Sequence, residues 1–417
     1  MSLTRKILLA MVLGIVTGLV LNLLSAPEPD SWLQQYLVMG LFDTVGKIFV
    51  ASLKLLVVPL VFVSLVCGTA TLGSQSRMGS MAVKTIGLYL MTTAIAITLA
   101  ITVANLLGPG LGLSLETVDA VTVDTNLSLQ QTIVNIFPSN PVAAMAEGNM
   151  LQVIVFSVLL GVAIAKSGEQ GAPVASFFEH LNHVVLRMIM MLVQLAPYGV
   201  FCLLAKLFAS LGFAVFQDLL FYFLTVAGVL LLQCLVVYPG MLKLLARLNP
   251  MVFLRKMYPV MVFGFSTASS NATLPVTMST VEGKLGVDNK VASFTLPLGA
   301  TINMDGTAIM QGVATVFIAQ AYGIDVGISG YLMVVLTATL ASIGTAGVPG
   351  VGMVTLALVL QQAGLPVEEG IALIIGVDRL LDMLRTAVNI TGDAAVTTVV
   401  AKSEGLLDEH RYHSKTL

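Results

Sequence analysis

The chain has 417 residues, of which 57% are hydrophobic and only 10% are charged, and its formal net charge is −2. Soluble proteins carry roughly 25% charged residues, so this composition predicts a membrane protein whose apolar helices cross the bilayer many times. The near-neutral charge excludes the basic surface of a nucleic-acid-binding protein, and three isolated cysteines, Cys67, Cys202 and Cys234, predict neither a disulfide framework nor a zinc site.

Hydropathy predicts six transmembrane helices before residue 250, at about 5–24, 39–73, 82–107, 130–165, 176–208 and 215–246. The first follows Arg5 and Lys6. It is longer than the apolar core of a signal peptide, and no small-residue cleavage site follows it. We therefore expect it to remain in the protein as a transmembrane helix. The fourth is interrupted by Pro138, Asn140 and Pro141.

The pattern changes after residue 250, where two apolar segments are interrupted in the middle by small polar residues. The interruptions lie at 266–275 and 342–350, and apolar helices follow at about 287–320 and 370–401. Two units of the same kind in succession predict an internal repeat. Interrupted apolar segments in corresponding positions are typical of a transporter binding site.

The distribution of Lys and Arg predicts the topology. If both interrupted segments are re-entrant hairpins, five loops on one side of the membrane contain no Lys or Arg: 25–38, 108–129, 209–214, 321–328 and 361–369. By the positive-inside rule the other side is cytoplasmic. This arrangement gives an all-α protein of the cytoplasmic (plasma or inner) membrane, with eight transmembrane helices and both termini in the cytoplasm. The two hairpins open to opposite sides, as inverted repeats require.

The helix at 287–320 contains an Asn and an Asp between two glycines, in the run from Gly299 to Thr307. Here we expect the helix to unwind, so that freed carbonyl groups are available to coordinate cations. Backbone without helical hydrogen bonds is tolerated at bilayer depth only inside protein or beside a cavity. We therefore expect the hairpin tips to meet inside the protein.

The last apolar helix carries five polar residues within an arc of roughly 80°. They are Asp378, Asp382, Arg385, Asn389 and Asp393. Inserting a charged side chain at the centre of a membrane helix costs at least about 2.5 to 3.5 kcal/mol. We therefore expect these charged residues to have a function. The planar fork of Arg385 suits a carboxylate, and Asp382 can accept from an ammonium group. Thr386 and Asn389 can contribute further hydrogen bonds to a bound ligand.

On these motifs the chain resembles the dicarboxylate/amino acid:cation symporter family, which includes the glutamate and aspartate transporters. The motifs are Thr273-Leu274-Pro275, the run 303–307, the hairpin tip 344–350 and the pattern D-x3-D-x2-R-T-x2-N-x3-D from Asp378 to Asp393. The resemblance implies a homotrimeric elevator-type transporter without enzymatic activity.

The resemblance also implies a division of the chain into a fixed scaffold and a moving transport domain. The scaffold would comprise 1–75 with helices 1 and 2, and 111–210 with the outer loop and helices 4 and 5. The transport domain would comprise helix 3 at 76–110 and all of 211–417. That last part contains helix 6, hairpin 1 at about 250–283, helix 7, hairpin 2 at about 329–366, helix 8 and the C-terminal tail.

The resemblance implies binding residues but no catalytic residue and no organic cofactor. Substrate would be bound by Ser269, Ser270, Thr307, Val348, Gly352, Asp382, Arg385, Thr386 and Asn389. A first sodium site would use Gly299, Asn303, Asn389 and Asp393. A second would use Thr301, Ser342, Ile343 and Thr345. A third would use Tyr89, Thr92, Thr93, Asn303 and Asp305.

The sequence therefore predicts symport of L-aspartate, L-glutamate or both with about three sodium ions, the number that would neutralise the charges of the core and the substrate. The alternative is proton coupling, in which Asp305 or Asp393 binds a proton instead of sodium. An intramembrane aspartyl protease is excluded, because Ile390 stands where its Gly-x-Gly-Asp motif requires glycine. Ala268 stands where some relatives have an arginine, and we expect Arg379, on the flank of the stripe, to supply the positive charge instead. This difference leaves the ion stoichiometry and the choice between aspartate and glutamate open.

Overall fold

The computed structural model describes residues 3–25, 31–73, 79–113, 115, 137–211, 214–342, 347 and 349–414. Within these ranges the regular structure is helical, and an isolated antiparallel bridge joins Val287 to Leu407. The all-α fold predicted from hydropathy is confirmed.

Nine α-helices precede residue 250 in the described ranges. They are α1 (Leu3–Ser25), α2 (Asp43–Gly73), α3 (Gly79–Leu107), α4 (Pro141–Glu147), α5 (Met150–Lys166), α6 (Ala172–Val193), α7 (Ala196–Leu211), α8 (Ala214–Leu232) and α9 (Tyr238–Leu245). A π-helical stretch, Leu33–Phe42, leads into α2, and a shorter one, Gln233–Val237, joins α8 to α9.

Eight further helices make up the rest of the described chain. They are α10 (Pro250–Thr267), α11 (Ser270–Gly283), α12 (Asn289–Ile302), α13 (Asp305–Ala321), α14 (Gly327–Ser342), α15 (Val351–Gln362), α16 (Val367–Ser403) and α17 (Glu409–His413). Helices α10 and α11 form the first predicted hairpin, and α14 and α15 form the second. Helix α16 carries the polar stripe.

The unwinding predicted near Gly299 is confirmed. Helix α12 ends at Ile302, and α13 begins at Asp305 after two residues with φ of −90° and −114°, Asn303 and Met304. The first hairpin turns at Ala268, which adopts a left-handed conformation with φ of 50°. Ser269 then caps α11 by accepting a hydrogen bond at Oγ from the Ala272 amide, at 3.2 Å.

The single helix predicted at 176–208 is wrong. The chain instead forms α6 and α7, whose axes differ by 47°. Pro197 lies at the second position of α7, where it has no amide hydrogen to donate, and its ring would clash with a helical carbonyl four residues earlier, at Val193, where α6 ends. Hydropathy does not detect this break, because membrane helices also tolerate proline, as Pro59 in α2 illustrates.

Four helical segments in the described chain are long and apolar enough to cross a membrane, namely Arg5–Leu24, Leu33–Ala70, Met81–Leu107 and Phe216–Leu245, and the bent pair of α6 and α7 passes the same test together. The predicted count of eight crossings is not reached by this measure. The remaining apolar segments are divided into shorter helices, as α12 and α13 are, or carry the charges of α16. The protein is thus a multi-pass membrane protein on the described residues.

Packing separates two groups of helices. Helix α1 packs along α7, and α2 packs along α5, α6 and α7. In the other group α3 packs on α13, while α16 packs against α10, α12 and α13. The polar stripe of α16 thus belongs to a helix that packs against the first hairpin, through α10, and against the broken helix formed by α12 and α13. The two groups also touch, through α7 and α16 and through α2 and α15.

Candidate functional site

The polar stripe of α16 is buried. All five residues have an exposed fraction of 9% or less, and Arg385 is only 1% exposed. Arg385 donates from Nη2 to Oδ1 of Asp382 at 2.8 Å, and its Nη1 lies 3.0 Å from Oδ1 of Asp378. The helical spacing therefore places one guanidinium between two carboxylates.

The tips of the two hairpins meet beside this stripe. Ser269 Oγ donates to the carbonyl oxygen of Gly347 at 2.8 Å, and the amide of Asn271 donates to the same oxygen at 3.2 Å. A Cβ atom at Gly347 would lie 2.7 Å from the carbonyl oxygen of Ala300 and 3.0 Å from Cβ of Ser270. Only glycine allows the second tip to approach α12 and the first hairpin this closely.

The second hairpin also covers Arg385. A Cβ atom at Gly352 would lie 3.2 Å from three atoms of its guanidinium group, so the backbone of α15 rests against that group. The amide of Gly350 donates to Oδ2 of Asp382 at 3.3 Å. Val348, the other predicted substrate residue of this hairpin, lies outside the described residues.

The remaining predicted substrate residues surround the break between α12 and α13. Asn389 accepts at Oδ1 from the amide of Gly306 at 2.7 Å, which fixes its side chain beside Thr307. Thr307 is 7% exposed. Thr386 donates to the carbonyl oxygen of Asp382 within its own helix, at 2.8 Å. The structure thus gathers Arg385, Asp382, Asn389 and Thr307 around one buried region.

The residues of the first predicted cation site are in contact. Asn303 donates from Nδ2 to Oδ1 of Asp393 at 2.9 Å and approaches the carbonyl oxygen of Asn389 at 3.4 Å. A Cβ atom at Gly299 would lie 2.6 Å from Oδ1 of Asp393 and 2.6 Å from the hydroxyl of Tyr89. The missing side chain leaves a cradle of oxygen atoms, which are the ligands that hard cations prefer.

The third predicted cation site is centred on Asp305, which is fully buried. Thr93 donates to Oδ1 of Asp305 at 2.6 Å, and Thr92 lies 3.3 Å from the same atom and 3.4 Å from Oδ1 of Asn303. Tyr89 instead donates to the carbonyl oxygen of Thr295 at 2.9 Å. Four of the five predicted residues are therefore in mutual contact, and Tyr89 points toward the neighbouring cradle at Gly299.

The second predicted cation site is described only in part. Thr301 and Ser342 donate to carbonyl oxygens of their own helices, Leu298 at 2.9 Å and Thr339 at 2.7 Å. Ile343 and Thr345 lie outside the described residues. The contact of Gly347 with Ala300 nevertheless places the second hairpin tip next to the end of α12.

Three further residues contact the site: Arg379, which the sequence places on the flank of the stripe, and Gln233 and Tyr238, which the sequence analysis did not assign to it. Arg379 Nη1 donates to Oδ2 of Asp382 at 3.1 Å. Gln233 and Tyr238 donate to Oδ2 of Asp305 at 3.2 and 2.8 Å. Gln233 is an isolated polar residue in a long apolar run, and this isolation is the sequence signal that could have assigned it to the site. Regular α-helical spacing does not predict that Gln233 and Tyr238 contact the same carboxylate.

Residues 3–403 match the sequence model of the sodium:dicarboxylate symporter family. The proton/glutamate-aspartate symporter of Escherichia coli (strain K12) is 36% identical over 422 residues, which cover 98% of this chain and 94% of that protein. The proton/sodium-glutamate symport protein of Bacillus caldotenax is 33% identical, with 98% and 96% covered. Excitatory amino acid transporter 3 of Mus musculus is 34% identical, with 94% and 84% covered.

Proposed function

This chain belongs to the sodium:dicarboxylate symporter family, and we propose that it takes up L-aspartate, L-glutamate or both together with sodium ions. The observation that carries the proposal is the buried pairing of Arg385 with Asp382 beneath the second hairpin. The names of the relatives from Escherichia coli and Mus musculus support an acidic amino acid as the substrate. The family consists of transporters, and we assign the chain no enzymatic activity.

Arg385 and Asp382 offer opposite charges to a substrate that has both. A carboxylate of the substrate would receive the two parallel donors of the Arg385 fork, and its ammonium group would donate to Asp382. The other carboxylate would lie between Ser270 and the first hairpin on one side and Thr307 and Asn389 on the other. A neutral amino acid would leave Arg385 without its second carboxylate, and a plain dicarboxylate would leave Asp382 without an ammonium group.

The buried charges require cations to move with the substrate. Four carboxylates and two guanidinium groups lie in the core, all at most 9% exposed: Asp305, Asp378, Asp382, Asp393, Arg379 and Arg385. Their sum is −2, and a bound acidic amino acid brings it to −3. Such a charge is unstable away from water, so about three monovalent cations are needed. The oxygen atoms around Asp305 and Asp393 support sodium.

Proton coupling is the second candidate, since the relative from Escherichia coli is named a proton/glutamate-aspartate symporter. A proton on Asp305 or Asp393 would replace one sodium ion. The oxygen atoms of Thr92, Thr93 and Asn303 around Asp305 favour a metal ion, because a bound proton needs a single acceptor rather than a cluster of oxygens.

We further propose that substrate crosses by an elevator movement within a homotrimer. Helices α1, α2, α5, α6 and α7 would form the scaffold, and α3 with α8 to α16 would carry the site across the bilayer. The separate packing of these two groups supports this division. Both termini would be cytoplasmic, as the distribution of Lys and Arg predicts.

Competition for uptake tests the substrate. Purified protein in liposomes is given labelled L-aspartate, a sodium gradient and an excess of unlabelled L-glutamate, succinate or L-leucine. We expect L-glutamate to suppress uptake strongly, succinate weakly and L-leucine not at all. Suppression by L-leucine, or no uptake of L-aspartate, would overturn the assignment of Arg385 and Asp382.

A further inference from the structure

Gln233 and Tyr238 are placed side by side by a local departure from the α-helix. In an α-helix, positions five apart point roughly 140° away from each other. The segment Gln233–Val237 is π-helical, and its wider turn closes hydrogen bonds between residues five apart. The turn therefore brings Gln233 and Tyr238 to one side of the helix. Single π-helical turns of this kind often occur at functional sites.

Both side chains reach Asp305, and all three residues are fully buried. Tyr238 donates from its hydroxyl to Oδ2 of Asp305 at 2.8 Å, and Gln233 donates from Nε2 to the same atom at 3.2 Å. Oδ1 instead faces Thr92 and Thr93. The two oxygens of one carboxylate thus have different partners. The π-helical turn and α9 hold Oδ2 through Gln233 and Tyr238, while Oδ1 faces hydroxyl groups that can rotate to present their lone pairs.

The amide of Gln233 leaves one atom without a partner. Its Nε2 must face Asp305, because the opposite orientation would place two acceptors against each other. Its Oε1 is buried and has no hydrogen-bond donor among the residues that the structure describes. A buried acceptor in this state is unfavourable, and a cation beside Asp305 would supply the missing positive partner.

We infer that Gln233 and Tyr238 are part of the third cation site. Tyr238 is a positioning residue that holds Oδ2 of Asp305, so that Oδ1 stays directed toward Thr92 and Thr93. Gln233 assists it through Nε2 and offers Oε1 as a further oxygen ligand. This inference rests on the proposed sodium coupling and adds two residues to the site.

Sodium binding without substrate tests the inference directly. The thermal unfolding midpoint of the purified protein is measured in detergent as sodium chloride replaces choline chloride at constant ionic strength. A ligand that binds the folded state raises this midpoint in a saturable way. The variants are Gln233→Leu and Tyr238→Phe, which keep most of the side-chain volume. Tyr412→Phe is the matched control, because it removes the hydroxyl of a buried tyrosine that donates to the carbonyl oxygen of Asn249 and not to a residue of the site.

We expect the sodium concentration for half-maximal stabilisation to rise about tenfold or more in both variants, as is usual when residues that orient metal ligands are removed. Tyr412→Phe should leave this concentration unchanged. A lower unfolding midpoint in choline with an unchanged sodium dependence would mean a purely structural role and would overturn the inference. If Gln233→Leu does not fold, the sodium dependence of Tyr238→Phe alone tests the inference. Absence of any sodium effect on the wild-type protein would instead overturn sodium coupling itself.

Discussion

Arg385 and Asp382, the two residues proposed to bind opposite charges of the substrate, are bound to each other at 2.8 Å. Each also has a second partner, since Arg385 lies 3.0 Å from Asp378 and Asp382 accepts from Arg379 at 3.1 Å. The two guanidinium groups and the two carboxylates of this cluster therefore neutralise each other. An acidic amino acid can replace the shared ion pair with two new ones, one to Arg385 and one to Asp382.

Asp382→Asn should change the selectivity of the site. The substituted amide has no charge for the substrate ammonium, so affinity for L-aspartate should fall roughly 30-fold or more. The affinity for succinate, which has no ammonium group, should fall much less. For wild type and variant, the concentration of L-aspartate or succinate that gives half of the maximal rise in unfolding temperature is measured in sodium chloride. The ratio of variant to wild type gives the loss of affinity for each ligand. Equal losses for the two ligands would contradict the role of Asp382.

Arg385→Ala should abolish binding of L-aspartate and also destabilise the fold. Removing one partner of a buried ion pair costs about 3 to 5 kcal/mol, and Asp378 would be left beside a cavity. The double variant Arg385→Ala/Asp378→Asn should regain much of the stability but none of the uptake. Thermal unfolding and uptake into liposomes separate the two effects. Recovery of uptake in the double variant would mean that Arg385 serves only to neutralise Asp378.

Gly299→Ala should weaken sodium binding. Its methyl group would lie 2.6 Å from Oδ1 of Asp393 and from the hydroxyl of Tyr89, so it would occupy the proposed first cation site. We expect the sodium concentration for half-maximal uptake to rise about tenfold or more. Gly87→Ala is the control, because no atom lies within 4 Å of a Cβ at that position. An unchanged sodium dependence in Gly299→Ala would place the cation elsewhere.

Lys256→Met should destabilise the protein without changing sodium binding. Lys256 is 3% exposed and donates from Nζ to the carbonyl oxygens of Lys284, Arg411 and Tyr412 at 2.9, 2.9 and 2.8 Å. It thus fastens the C-terminal segment to the base of the first hairpin. Loss of these charge-assisted bonds should cost about 2 to 3 kcal/mol, measured by thermal unfolding. Lys243→Met, at an exposed site, should cost little, and equal effects would contradict the role of Lys256.

The sequence predicts the parts of the site that depend on local spacing. The stripe of α16 follows from α-helical periodicity, and the break at Asn303 follows from glycines beside polar residues in an apolar run. The meeting of the hairpin tips follows from the cost of exposing peptide groups to lipid. In the structure the two tips meet through the hydrogen bond from Ser269 to the carbonyl oxygen of Gly347.

Other features depend on information that spacing does not contain. The bend before Pro197 is invisible to hydropathy, and the contact of Gln233 and Tyr238 with Asp305 requires a π-helical turn that α-helical spacing cannot predict. The bond from Arg379 to Asp382 joins residues three apart, yet the sequence places Arg379 at the flank of the stripe. Its long side chain reaches the carboxylate across one turn.

The driving ion is tested most directly by uptake of labelled L-aspartate into liposomes at fixed membrane potential, with an inward sodium gradient compared with an inward proton gradient. We predict accumulation that requires sodium and rises steeply with its concentration. Transport of about three sodium ions with one anion moves two net positive charges, worth roughly 4.6 kcal/mol per 100 mV, so a negative interior should increase accumulation. Accumulation driven by protons in the absence of sodium would contradict the account and assign the coupling to a carboxyl group.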